Sequence, residues 1–124
     1  MNKSLFERLG GRNGISSIVD DTVENHMKNT NVKARFLPYK DKPEQLALIK
    51  KHTIDFFEMG SGGPTKYAGR DMETIHTGMN ISPAEYLYVI DDIFIALNKN
   101  AIDENAQKEV LFILWSLKSM IISK

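Results

Sequence analysis

Apolar and polar positions recur along most of the chain at the three- and four-residue steps of helices. Ser4 precedes Leu5 and Phe6, with Glu7 three residues on. That capping-box spacing predicts a short first helix, ended by Gly10-Gly11, where positive φ is cheap. A second helix is predicted over 14–29, with Asn13 as its N-cap. Its apolar face runs Ile15, Ile18, Val19, Thr22, Val23, His26 and Met27, while Ser16, Ser17, Asp20, Asp21 and Glu24 are polar. Residues 31–42 hold Val32, Phe36, Leu37, Pro38 and Tyr39 without sustained period, and read as a short helical turn and a loop. Pro43, with Asp41 just before it, opens a third helix to about residue 59. Leu46, Ile49, His52, Thr53, Phe56 and Met59 form its apolar stripe. The run Gly60–Pro64 stops it. Residues 64–70 form a loop anchored by Tyr67, and a short helix carrying His76 follows. Ser82-Pro83-Ala84-Glu85 starts a helix to about Asn98, with Tyr86, Val89, Ile90, Ile93 and Leu97 inward. Asp103 caps the last helix, which presents Val110, Ile113, Leu114, Leu117 and Ile121.

No alternating strand pattern and no internal repeat are visible, so the expected class is all-α. The 124 residues suit one domain, 1–124, large enough for a sizeable core. Lys+Arg and Asp+Glu are 16 each, so the formal net charge is +0. A nucleic-acid partner or a membrane surface would call for a basic excess, and neither is expected. With no cysteine, disulfides, thiolate metal sites and cysteine nucleophiles are excluded. The N-terminus MNKSLFERLGG lacks the apolar stretch of a signal peptide, and no segment is apolar enough to span a membrane. A cytoplasmic location is the expectation.

The chemistry concentrates around residues 72–81. Met72, Ile75, His76 and Met79 fall on one face of a helical turn. A histidine on such a face is either a core residue satisfied by a carbonyl or a ligand holding metal in an oily pocket. A second histidine, His52, lies on the stripe of the third helix, where Ile49, Thr53 and Phe56 could cover the far side of a flat ligand. Lys50, Lys51 and Arg70 could meet the carboxylates of an otherwise apolar cofactor, and Phe36 could wedge against it. His26, at a helix end, suits the C-terminal dipole and no chemistry. Other chemistries find no support. His52 and His76 make no zinc motif, Asp91 and Asp92 point to different faces, and Gly60–Gly63 lacks the lysine of a phosphate loop.

Taken together, SLFERLGG at 4–11, IVDD at 18–21, Phe36, KKHTIDFF at 50–57, GGPTKYAGRDM at 62–72 and His76–Ser82 resemble the truncated haemoglobins. The likeness is closest to group I and covers nearly the full length. It implies a truncated globin fold, a two-over-two helical sandwich around haem b. His76 would be the proximal iron ligand, its other ring nitrogen donating to a carbonyl one turn earlier. Phe36 would pack on the haem face, Ile49, His52, Thr53, Phe56 and Phe57 along the distal helix, Tyr67, Met72, Ile75 and Ile81 on the proximal side, and Tyr86 and Val89 on the inner wall.

The chain departs from its group at the distal side. The usual tyrosine of the second helix aligns with Val23, and the usual distal glutamine with Ile49 and Thr53. Without those donors bound dioxygen is held less firmly, by roughly 1–3 kcal/mol. His52 aligns with a histidine that ligates iron in some cyanobacterial relatives, and Thr53 could offer a weak hydroxyl. The implied function is binding of dioxygen, nitric oxide or carbon monoxide at iron, extending to nitric-oxide dioxygenation or gas sensing. The alternative is a bis-histidine haem protein for electron transfer or redox sensing. Expected partners are diatomic gases and an unidentified reductase, and the expected state is a monomer or weak dimer.

Overall fold

Residues 3–64, 74 and 76–124 are described by a computed structural model. Their regular elements are helices: α1 (Leu5–Arg8), α2 (Gly11–Lys28), α3 (Lys33–Phe36), a 3-10 turn (Leu37–Tyr39), α4 (Pro43–Gly60), α5 (Pro83–Lys99) and α6 (Glu104–Ile121). Three start signals read from sequence are made as hydrogen bonds. The Ser4 and Ser82 hydroxyls accept from the Glu7 and Glu85 amides at 3.2 and 3.0 Å, and Asp103 accepts from the Ala106 amide at 2.9 Å. Each such cap is worth about 1 kcal/mol.

Two boundaries differ from expectation. α2 begins three residues early, with Gly10 rather than Asn13 at its N-cap. Gly10 and Gly11 hold φ of 94° and 68°, so the chain reverses within two residues and helix starts at once. At α4 the residue before Pro43 is Lys42, which gives no side-chain cap, so Asp41 does not serve.

α2 is the centre of the arrangement. It packs on α4 to one side and α5 to the other, α6 packs on α5, and α1 closes against α2 and α6. The shared core contains Ile15, Ile18 and Val19 of α2, Ile90, Ile93 and Leu97 of α5, and Val110 and Leu114 of α6. Full burial of each such side chain contributes roughly 1.5–3 kcal/mol.

α4 packs the other way round from its hydropathy. Its buried residues are Ile54, Asp55 and Glu58, whereas the predicted stripe residues Ile49 and Met59 are 37% and 43% exposed. The cause lies on α2. Arg12 Nη1 donates to Asp55 Oδ1 and to Glu58 Oε2, both at 2.9 Å, and Lys51 Nζ donates to Asp55 Oδ2 at 2.9 Å. Lys51, and Arg12 with it, hold the Asp55 carboxyl below its ordinary pKa. The α2–α4 seam is therefore partly ionic, and most of the apolar stripe of α4 faces away from it. Arg12→Met should lower the Tm by at least about 5 °C, because Glu58 stays buried without its cation. Thermal melts at neutral pH check this, and an unchanged Tm would show that the seam holds by apolar contact alone.

Candidate functional site

His76 is half-buried and leads into a tight turn. The Met79 amide donates to the His76 carbonyl at 3.1 Å, and Gly78 and Asn80 take φ of 90° and 48°. The chain after the turn is tied to the end of the molecule. Asn80 N donates to the Lys124 carbonyl, and Ser123 N to the Ile81 carbonyl, each at 2.8 Å, while Ile81 and Ile122 form a parallel bridge. Ile81 is buried there. Next comes the Ser82 cap, whose partner Glu85 also receives both Nε and Nη2 of Arg35, Nη2 at 3.1 Å. Arg35 holds the Glu85 carboxyl below its usual range. The segment after His76 is thus fastened to the ends of α6 and α3. Tyr67, Arg70, Met72 and Ile75, and the carbonyl one turn before His76, lie outside the described residues.

The stripe of α4 carries the other candidate residues. His52, Thr53 and Phe56 are half-buried, Ile49 more exposed, and Phe57 packs against the core edge. The Thr53 hydroxyl donates to the Ile49 carbonyl at 2.8 Å, so the weak donor expected there is engaged within its own helix. Val23 of α2 is buried and apolar. Lys50 pairs with Asp20 at 3.2 Å and Lys51 with Asp55, so both lysines turn to acids of α2 and α4. Tyr86 is buried, its hydroxyl donates to the Leu114 carbonyl, and burial pushes its pKa up to about 12. Val89 is partly buried beside it. Phe36 is half-buried and stacks on His26, with ring centroids 4.5 Å apart.

That last contact corrects the expectation for His26. It does lie in the last turn of α2, but it is 5% exposed there, and its Nδ1 lies 2.7 Å from Asp92 Oδ2. The step of three from Val23 to His26 was legible, but the partner carboxylate lies 66 residues away. Arg12, Asp55 and Glu58 escaped sequence reasoning for the same reason.

The donor set suits haem. Among the described residues no three histidines or acids gather to hold a metal ion. A single imidazole such as His76 retains iron only when the iron arrives with other ligands, as it does in a porphyrin. An apolar stripe left partly uncovered beside the α2–α4 seam has the character of the wall such a group requires. An open pocket of about 480 Å³ between α1, the end of α4 and α6 is lined by neither His52 nor His76.

A family model described as bacterial-like globin matches residues 4–123. The chain is 26% identical over 110 residues to a group 1 truncated haemoglobin of Tetrahymena thermophila, covering 82% of this chain and 79% of that one. It is 25% identical over 126 residues to the group 1 truncated haemoglobin of Tetrahymena pyriformis, covering 100% of each. The crystal structure of a point mutant of the latter, in its Fe(III) form, superposes with a TM-score of 0.89 at 23% identity, covering 98% of this chain and all of that one.

Proposed function

Because the chain belongs to the bacterial-like globin family, whose cofactor is haem, we propose that it binds diatomic gases at haem iron held by His76. The whole of 1–124 acts as one domain in this reading. The observation that supports it is the inverted burial of α4, which draws acids into the seam and leaves Ile49 exposed and His52, Thr53 and Phe56 half-buried. Haem, when bound, would supply the iron for gas binding and for oxidation of nitric oxide by dioxygen to nitrate, with a reductase needed to restore the one electron lost. The chain's own part is placement. His76 anchors, Phe36, Phe56 and Phe57 exclude water from the porphyrin, and Tyr86 and Val89 close the inner wall. Val23, Ile49 and an engaged Thr53 leave the distal side poor in donors. That favours turnover of the gas, as in nitric-oxide dioxygenation or sensing, over tight storage of dioxygen.

His52 supports a second reading, because it shares the stripe with Ile49, Thr53 and Phe56. As a sixth iron ligand it would make the protein an electron carrier or redox sensor. Optical spectra of the ferric, ferrous and carbonmonoxy forms after one equivalent of haem test both. One bound haem per chain is expected. A low-spin ferrous spectrum that turns high-spin in His52→Ala would establish the second ligand. A chain that stays colourless in excess haem would end both readings.

A further inference from the structure

α3 is four residues long and none of them is buried, so its own packing does not place Phe36. What meets that ring is His26 of α2, stacked at 4.5 Å with 21° between the planes. His26 is fixed in turn. Its Nδ1 meets Asp92 Oδ2 of α5 at 2.7 Å, and Asp92 Oδ1 accepts from Asn29 Nδ2 at 3.0 Å. Asn25 Nδ2 donates to the Asp92 carbonyl at 3.0 Å, so Asn25 and His26 of α2 and its C-cap Asn29 grip this point of α5 through three side chains. The Asn29 carbonyl accepts from Val32 and Lys33 at 3.1 and 2.8 Å, which ties the same network to the start of α3. Asp92 is 3% exposed, and a carboxylate this deep is retained where its geometry matters.

We propose that the Asp92–His26 pair sets where the Phe36 ring lies, and thereby fixes one wall of the haem pocket. His26 is a positioning residue in this scheme, acting through Phe36. The proposal rests on the reading above that Phe36 borders haem.

The pair responds to pH. Asp92 is the charged group that meets the ring. α3 adds Lys33 and Arg35, the latter tied to Glu85, and α2 adds Lys28 and Glu24, paired with one another at 2.8 Å. The charges of α4 engage α2 at Asp20 and Arg12. Burial lowers the His26 pKa from 6.5, and Asp92 opposes that only in part. The ring is therefore neutral at pH 7, with its Nδ1 hydrogen donated to Asp92. Protonation adds a donor at Nε2 that a neutral ring lacks, and the stack must adjust to it. Since the folded pKa is the lower one, the pair's stabilisation is complete above about 6.5 and declines as pH falls through the folded value.

The test uses the full chain, with and without haem, titrated between pH 8 and 5. In the haem-free protein, NMR should show the Phe36 ring resonances moving with the His26 midpoint. In the haem-loaded ferrous protein, with carbon monoxide as probe, the C–O stretch should shift at a matching midpoint. His26→Phe keeps a stacking ring without a proton and should abolish both steps. Asp92→Asn removes the carboxylate charge and should move both midpoints to lower pH, which keeps the test decisive if His26→Phe folds poorly. Phe36 resonances that ignore the His26 titration would overturn the proposal. Phe36 resonances that follow it beside an unmoved C–O stretch would uphold the positioning and overturn the place of Phe36 at the haem.

Discussion

Replacing His76 by glycine is expected to speed haem loss on the order of a hundredfold or more. Removing even an outer partner of a metal ligand costs about 10–100-fold in affinity, and here the ligand itself goes. The fold should survive, because the imidazole is half-buried and the segment after it is held by main-chain bonds. The Asn80 and Ser123 amides and the Ser82 capping box keep their partners in the variant. Free imidazole should then slow the loss again by refilling the cut side chain. Transfer of haem to an excess of a tight-binding apoglobin, followed by absorbance, measures the rate. Equal rates for the two proteins would remove His76 from the iron.

The local half of this architecture was legible in the chain. Ser4, Ser82 and Asp103 each sit three residues before the amide they cap, and Pro43 marks a first turn, so starts within a few residues of one another can be read without a fold. The proposed iron ligand, His76, stood out only through the family resemblance, because an imidazole within an apolar turn suits a core residue as well. What escaped depends on partners far along the chain. The stripe of α4 was legible as apolar, but periodicity reports which side is apolar and not which side the rest of the chain covers. Arg12 decides the matter from 43 and 46 residues away, by drawing Asp55 and Glu58 into the seam. His26 was misread by the same blindness, because Asp92 lies on a helix that meets α2 only in the fold. Both surprises concern buried charge, where sequence patterns are weakest and a specific partner decides the outcome.

Val23→Tyr is expected to slow dioxygen dissociation by about one to two decades. On the proposed distal side Val23 is buried and apolar, Ile49 has no side-chain donor, and the Thr53 hydroxyl is engaged at 2.8 Å with the Ile49 carbonyl. A phenol directed from α2 toward the iron would supply one hydrogen bond, worth roughly 1–3 kcal/mol in a dry site, and 1.4 kcal/mol is tenfold. Dioxygen draws electron density when it binds and so gains most from a donor. Carbon monoxide draws far less, and its dissociation should change little. The larger side chain costs about 1–3 kcal/mol of folding stability by overpacking, which Val23→Phe reproduces without the hydroxyl. Stopped-flow displacement of dioxygen by carbon monoxide gives the off-rates of all three proteins. If the tyrosine and phenylalanine variants release dioxygen equally fast, position 23 does not face the gas, and weak retention must then come from somewhere other than a missing donor on α2.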